Sequence, residues 1–240
     1  MAKKKKYLAM ISIATAVIGS ALTGQLFKTG DTNGRVEAQD FYGDPATYEF
    51  ISIIGERARQ IGQERGIYAS VMIAQAIHES NSGRSGLSIG PYYNLFGIKG
   101  QYQGNSVTMR TWEDDGTGRA YYINDAFRAY PSWAASMYDY ADLLSWDYYA
   151  GVRKAYAPNY WDATAALTGT YATDTSYAAK INAIIEFYGL TAYDTPLGYE
   201  TVTLPVQDSV WNAFRGSYTT SQILAEDQAW NQYVNGYYGR

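Results

Sequence analysis

The pattern of hydrophobic and polar positions predicts a first amphipathic helix from about residue 44. Asp44 is a suitable N-cap and Pro45 suits the first turn of a helix. Apolar residues follow at helical spacing, with Phe50 and Ile54 among them. Gly66 favours the end of the helix, because glycine adopts the left-handed conformation of a C-terminal cap.

A second helix, predicted over residues 68–79, is almost entirely apolar and ends in the turn-forming segment 80–83. Glu79 therefore lies on the last turn of an apolar helix. The helix dipole and the apolar neighbours both disfavour its ionised form, so we expect its pKa to be raised. Such an acid can protonate a glycosidic oxygen, which makes Glu79 a candidate general acid. The alternative is an ordinary glutamate whose carboxylate is hydrogen-bonded by Ser80 or Ser82.

Alternating apolar and polar residues over 107–112 and 120–123, joined by the turn-forming residues 114–118, predict a β-hairpin. Glu113 lies near the tip, next to two aspartates. A hairpin tip that overhangs the end of the second helix would supply the opposed carboxylate pair that glycoside hydrolysis commonly uses. The alternative is a solvated, charged turn.

Further helices are expected over residues 132–144, 162–167 and 174–188. The fold class is therefore predicted as α+β, mainly α, with a helical lobe and a small β-hairpin lobe. Residues 193–240 show no clear periodicity. This C-terminal tail weakly resembles a degenerate LysM module; alternatively, it is a loosely docked tail, or it packs on the preceding domain through Trp211 and Phe214.

Residues 1–38 have the pattern of an export segment. Four lysines are followed by an uncharged stretch over residues 7–27, which suits either a cleaved signal peptide or a single membrane anchor with a linker. In both cases we expect residues 39–192, the predicted catalytic domain, to lie outside the cytoplasm. The expected location is extracellular, associated with a bacterial cell wall, or anchored to the membrane.

The composition narrows the possible chemistry. The chain has no cysteine, which excludes disulfides, thiolate metal sites and a cysteine nucleophile, and it has one histidine, His78. We expect no metal or organic cofactor. The net charge is −4, and it becomes −8 without residues 1–38, which carry six basic and two acidic residues. Nucleic acid is therefore not an expected partner.

Several segments, in the right order, resemble the signature of the family 73 glycoside hydrolases, which are bacterial cell-wall N-acetylglucosaminidases. They are residues 74–80 (Ala-Gln-Ala-Ile-His-Glu-Ser), 83–85, 93–100 (containing Asn-Leu-Phe-Gly), 111–113 (Thr-Trp-Glu), 126–132, and 171–174 with Tyr177 and Lys180. The resemblance implies a lysozyme-like fold in which a glycan cleft lies between the helical lobe and the β lobe. Ser82 stands where the family often has tryptophan.

The resemblance also implies roles for individual residues. Glu79 corresponds to the family's catalytic acid and Glu113 to its debated second carboxylate. If the strand register at the hairpin tip is shifted by one residue, Asp114 takes the place of Glu113. Tyr171 corresponds to a catalytic tyrosine near the cleft. An enzyme base and attack by the sugar's own N-acetyl oxygen both remain open.

Five further residues are candidate substrate contacts: Asn94, Phe96, Trp112, Tyr121 and Tyr177. Phe96 is equally suited to the core, and the hairpin aromatics to cross-strand packing. His78, beside the acid, is expected to have a structural or supporting role. The predicted protein is an exported, monomeric endo-β-N-acetylglucosaminidase whose partner is the glycan strand of peptidoglycan. The alternatives are a muramidase or lytic transglycosylase on the same fold, and a non-catalytic wall-binding protein.

Overall fold

A computed structural model describes residues 43–114, 120–196, 210–214, 217–219 and 221–238. Its helices and strands, in chain order, are α1 (Pro45–Arg65), α2 (Ala69–Ser80), β1 (Ser106–Asp114), β2 (Ala120–Arg128), α3 (Trp133–Leu144), α4 (Tyr160–Leu167), α5 (Tyr177–Phe187), β3 (Val210–Asn212), β4 (Ser217–Thr219) and α6 (Ser221–Tyr238). Short 3₁₀ helices occupy Asp147–Val152 and Leu190–Tyr193.

The predicted export segment, residues 1–38, lies outside the described residues. Among the residues that the structure describes, no helix is long and apolar enough to cross a bilayer. The choice between a cleaved signal and an anchor stays a prediction.

The first two helices form the centre of the core. The predicted ends of α1 are confirmed, and α2 begins and ends one residue later than predicted. The Asp44 side chain accepts a hydrogen bond from the Ala46 amide at 3.1 Å, and Gly66 ends α1 in the left-handed conformation with a φ of 65°. All residues of α2 except His78 are buried, and the helix packs against α1, α4 and α5. Because α2 is surrounded by other helices, its polar side chains are largely shielded from water, and one that lacks a partner inside the protein carries a penalty.

The predicted hairpin is confirmed, and its strands are longer than the alternation indicated. β1 and β2 pair antiparallel from Ser106 opposite Arg128 to Asp114 opposite Ala120. At its base, Arg128 forms an ion pair with Asp139 of α3 at 2.5 Å. The hairpin is therefore fastened to the helical body at the end away from its tip.

The predicted α+β, mainly α fold class is also confirmed, because a helical body carries this two-stranded antiparallel sheet. Helix α5 begins three residues later than predicted. Asp174 accepts hydrogen bonds from the Ser176 amide and hydroxyl and from the Lys180 ammonium group, so residues 174–176 form a turn before the helix. Gly189, with a φ of 62°, follows the end of α5 as expected.

The C-terminal tail docks on α1 through its helix. Arg57 and Asp227 form a buried ion pair at 2.6 Å, and the Asn212 amide donates to the second Asp227 oxygen at 2.6 Å. The Trp230 indole donates to the backbone oxygen of Ile53 at 3.1 Å. The two contacts with α1 come from α6, and Asn212 of β3 binds Asp227 within the tail. Trp211, one of the two residues predicted to pack on the preceding domain, is half exposed. The LysM interpretation of the tail stays a prediction.

Candidate active site

The last turn of α2 is held by an unusual run of backbone conformations. Asn81, Ser82 and Gly83 all have positive φ, at 52°, 56° and 76°. The Ser80 hydroxyl accepts a hydrogen bond from the Gly83 amide at 2.7 Å and donates to the backbone oxygen of Ala76. This turn stops the helix one residue after Glu79 and fixes where the glutamate lies.

The same turn is tightly packed against α1 and α3. A Cβ atom at Gly83 would come within 2.8 Å of the rings of Phe50 and Trp133, so glycine is needed both for its backbone conformation and for its size. Ser82 pairs with Thr47 at 2.7 Å. Neither Ser80 nor Ser82 is therefore hydrogen-bonded to the Glu79 carboxylate, which was the alternative explanation for that residue.

Glu79 is buried, with 8% of its surface exposed. Its Oε1 atom accepts a hydrogen bond from the Tyr177 hydroxyl at 2.7 Å. Tyr177 is the only hydrogen-bond partner of this carboxylate among the described residues. Burial raises the pKa of Glu79 from 4.5 to about 7, although the bond from Tyr177 acts in the opposite direction. The carboxyl group can therefore carry a transferable proton at neutral pH, which is the property required of a general acid.

A chain of buried hydrogen bonds leads from Glu79 into the core. The Gln75 amide nitrogen donates to the Tyr177 hydroxyl at 2.8 Å, and the Gln75 amide oxygen accepts from the Tyr140 hydroxyl. Gln75 precedes Glu79 by one helical turn, so both face the same side of α2. The two tyrosines come from α3 and α5, so three helices meet at this chain.

Tyr171 lies beside this chain without contacting Glu79 by a hydrogen bond. Its ring stacks on Tyr177, with centroids 6.1 Å apart, and its hydroxyl donates to the backbone oxygen of Phe96 at 2.8 Å. Burial raises the pKa of both tyrosine hydroxyls well above the ordinary value. They therefore remain protonated donors throughout the pH range in which Glu79 titrates.

Asn94 and Phe96 are buried in the core, at 1% and 2% exposure. The Asn94 amide donates to the backbone oxygens of Ile98 and Arg128, and its oxygen accepts from the amides of Phe96 and Ile98. The Phe96 ring stacks on Tyr140 with centroids 4.1 Å apart. Both side chains are therefore packed inside the protein, and Asn94 joins this loop to the base of the hairpin. Substrate contact by either residue stays a prediction.

The candidate residues near the hairpin tip are placed only by their backbone. Glu113 is paired with Tyr121, and Trp112 with Tyr122, next to the tip. The side chains of Trp112, Glu113, Asp114 and Tyr121 lie outside the described part of the structure, so their roles stay predictions.

His78 is half-buried beside the site, with its ring edge-on to Tyr177 at 5.7 Å. Burial lowers its pKa to about 4, a nearby Lys180 acts in the same direction, and Asp174 opposes them. Its Nε2 atom has no hydrogen bond in the described structure. The imidazole is therefore neutral near pH 7 and packs against Tyr177.

In the described ranges, no group of three His, Asp or Glu side chains could hold a metal ion.

Comparison with known proteins shows the family of the chain. The family model described as mannosyl-glycoprotein endo-beta-N-acetylglucosaminidase, the glucosaminidase family, matches residues 55–190. The chain belongs to this family of glycoside hydrolases. The match begins within α1 and ends after α5, so it includes Gln75, Glu79, Tyr171 and Tyr177.

Individual relatives extend the comparison beyond the family match. An autolysin of Enterococcus faecalis is 50% identical over 62% of this chain and 21% of its own length. A probable N-acetylmuramidase of Lactococcus lactis is 43% identical over 80% of this chain and 46% of its own length. The chain thus spans between a fifth and a half of these relatives.

A solved structure shares the glucosaminidase fold. The crystal structure of the catalytic domain of the autolysin Auto from Listeria monocytogenes is 49% identical and has a TM-score of 0.58, over 64% of this chain and 90% of that one. The predicted lysozyme-like fold of the family is confirmed.

The sequence reasoning did not identify Gln75 and Tyr140. Gln75 is a polar residue four positions before Glu79 in an otherwise apolar helix, and this spacing was a usable signal, because a buried amide needs partners. Tyr140 gave no such signal, since a single tyrosine among apolar neighbours is typical of an ordinary core residue.

Proposed function

We propose that this glucosaminidase-family chain is an exported peptidoglycan hydrolase that cleaves the β-1,4 bond between N-acetylglucosamine and N-acetylmuramic acid. The observation that carries the proposal is the Glu79 carboxyl group. It is buried, has a pKa of about 7, and is held by Tyr177 at the end of a packed helix. An acid with these properties suits protonation of a leaving sugar oxygen at neutral pH.

In the proposed reaction, Glu79 transfers its proton to the glycosidic oxygen as the bond from that oxygen to the anomeric carbon breaks. The leaving sugar departs with a free hydroxyl group, and positive charge develops on the remaining N-acetylglucosamine ring. The Glu79 carboxylate that is left accepts the hydrogen bond from Tyr177, which stabilises its charge. Tyr171 supports this arrangement through its contact with the Tyr177 ring.

The second participant in the reaction is either Glu113, as an enzyme base for water, or the N-acetyl oxygen of the substrate. Glu113→Gln separates the two, because substrate assistance needs no enzyme base. We expect a large but incomplete loss of activity, with Asp114→Asn as the matched neighbouring variant. Full activity of Glu113→Gln together with an inactive Asp114→Asn would move the role to Asp114.

Support for peptidoglycan as the substrate comes from the family and from the names of the relatives. Since one relative is named a probable N-acetylmuramidase, a muramidase or lytic transglycosylase is the second candidate. Reducing-end analysis of digested cell wall distinguishes the products. A terminal N-acetylglucosamine supports the glucosaminidase, and a terminal N-acetylmuramic acid or its anhydro form supports the second candidate.

The export and location of the protein are proposed on the basis of residues 1–38, with their basic start and apolar stretch. The chain then acts at the cell wall, as a monomer, either released or anchored to the membrane.

The decisive experiment is a turbidity-clearing assay on purified cell wall with Glu79→Gln. The amide keeps the shape and removes the proton, so activity should fall by roughly 10²–10⁴-fold. Glu64→Gln, an exposed glutamate on α1, is the matched control and should be as active as the wild type. A folded Glu79→Gln variant that retains more than about a tenth of the activity would contradict the assignment.

A further inference from the structure

The chain of hydrogen bonds behind Glu79 has a direction. Tyr140 donates to the Gln75 oxygen, the Gln75 nitrogen donates to Tyr177, and Tyr177 donates to Glu79 Oε1. Each tyrosine hydroxyl has one proton to give. Because the Tyr177 oxygen already accepts from the Gln75 amide, its single proton is available for Glu79.

The reverse direction would have a different consequence at the acid. If the Gln75 oxygen faced Tyr177, it would take the hydroxyl proton and present a Tyr177 lone pair to Glu79. An ionised carboxylate only accepts hydrogen bonds, so the two groups would then repel. A protonated Glu79 would satisfy the contact only by turning its own proton toward Tyr177, into the core.

We propose that Gln75 is a positioning residue that keeps the Tyr177 hydroxyl pointed at Glu79 Oε1 and so leaves Oε2 as the oxygen that carries and delivers the acid proton. The inference rests on the proposed function of Glu79. During the reaction, the bond from Oε2 to hydrogen breaks, the proton passes to the glycosidic oxygen, and the electron pair stays on the carboxylate. Tyr177 donates to Oε1 before and after this step.

The chemistry of the side chain explains why an amide suits this position. Glutamine carries a donor and an acceptor on one planar group, so it bridges two hydroxyls with opposite requirements. Gln75 is fully buried, and its partners come from two other helices, α3 and α5. Burial strengthens such a chain and raises the penalty for a missing partner.

The groups that face Glu79 leave a pH range in which its pKa can be measured. Tyr140 on α3, Tyr177 on α5 and Tyr171 before α5 have pKa values raised well above the ordinary value by burial, so they stay neutral. On α2 itself, the pKa of His78 is lowered to about 4. Beyond His78 lies the ion pair of Lys180 with Asp174, at 2.6 Å. From about pH 5.5 to pH 9, Glu79 therefore titrates while these tyrosines and His78 keep one protonation state.

The test compares Gln75→Met, Tyr177→Phe and the double variant in the full chain. The first readout is the pKa of Glu79 from ¹³C NMR of its carboxyl carbon, which needs no activity. Tyr177→Phe removes the donor to the carboxylate and should raise this pKa by roughly one pH unit. Gln75→Met frees the Tyr177 oxygen to accept from protonated Glu79, so it should raise the pKa by a smaller amount. The double variant should match Tyr177→Phe alone, because Gln75 acts through Tyr177.

The second readout is kinetic. Gln75→Met should lower kcat by about tenfold. KM should stay unchanged, because the buried amide does not touch substrate. The alkaline limb of the pH profile should move to higher pH together with the pKa of Glu79 measured by NMR. Ser70→Ala, on the same helix, removes a buried hydroxyl that has no hydrogen-bond partner among the described residues, and it is the control expected to change neither readout. Should Gln75→Met fail to fold, Tyr140→Phe keeps the ring, removes the donor to Gln75 and should shift the pKa in the same direction.

An unchanged Glu79 pKa in a folded Gln75→Met variant would overturn the inference, and so would a further shift when Gln75→Met is added to Tyr177→Phe. These outcomes are independent of the proposed function. If Glu79→Gln kept its activity while the NMR shifts appeared as expected, the assignment of Glu79 as the acid would fail and the effect of Gln75 on Tyr177 would stand.

Discussion

Replacement of Glu79 by glutamine should stabilise the fold at alkaline pH, although the proposed function predicts that it removes activity. The pKa of Glu79 is about 7 in the folded protein, against an ordinary value of 4.5, because the carboxyl group is buried. Since the folded-state pKa is the higher one, the favourable contribution of the protonated group is complete below about pH 4.5. It is lost as the pH rises through about 7.

The size of this effect follows from the two pKa values. A rise from 4.5 to about 7 is about 2.5 pH units, and each unit corresponds to about 1.4 kcal/mol, which gives a loss of about 3 kcal/mol across this interval. That is a large part of the 5–15 kcal/mol that typically separates folded from unfolded states. In Glu79→Gln the amide does not titrate, keeps the shape and can still accept from Tyr177, so the variant escapes this loss.

The assay is urea unfolding of the wild type and of Glu79→Gln at about pH 5 and about pH 9, followed by tryptophan fluorescence. The difference in free energy of unfolding between the two proteins should move by about 3 kcal/mol in favour of the variant between the two pH values. Titration of His78 affects both proteins and cancels. Glu64→Gln is the matched control for loss of an exposed carboxyl group. A difference that is the same at both pH values would show that the pKa of Glu79 is not raised in the folded protein.

Two further predictions concern the C-terminal part of the chain. Asp227→Asn should destabilise the whole chain by about 3 kcal/mol in thermal or urea unfolding, because it leaves the buried Arg57 without its ion-pair partner. The control is Glu226→Gln, at the exposed neighbouring position. Equal stability of the two variants would contradict the docking of the tail on α1. A chain that ends at Leu190 should melt at a lower temperature than one that ends at residue 196, because Asp194 Oδ1 accepts from the Ser70 amide at the start of α2, at 2.9 Å, and a helix cap contributes about 1 kcal/mol. Equal melting temperatures would show that residues 191–196 do not support α2.

Most of the helices could be predicted from the sequence, because their apolar residues recur at helical spacing and their ends carry capping residues. The exception is α6. Its inward face includes Asp227, which is fully buried against Arg57, alongside Trp230 and Val234. An aspartate in the buried face interrupts the hydrophobic period, so the pattern of the tail looked irregular. A buried ion pair cannot be read from one sequence, since its partner on α1 is 170 positions away.

The candidate site, too, could be predicted from the sequence only in part. The place of Glu79 at the end of an apolar helix, and hence a raised pKa, followed from local pattern alone. Its contact with Tyr177 did not, because the two residues are 98 positions apart and only the packing of α2 against α5 brings them together. The roles expected for Asn94 and Phe96 were drawn from a motif, which marks a segment as important without separating a side chain that touches substrate from one that shapes the loop.

The end of α2 has to meet two requirements that oppose each other. Burial of Glu79 gives it the pKa that acid catalysis needs, and the same burial destabilises the fold as the pH rises. A loose helix end would relieve this penalty by letting the carboxylate reach water, and its pKa would then fall toward 4.5. The turn at Ser80 and Gly83, packed against Phe50 and Trp133, prevents that relaxation. If Glu79 is the acid, as proposed, the stability of this turn contributes to the chemistry, because it keeps the carboxyl group buried when ionisation favours exposure.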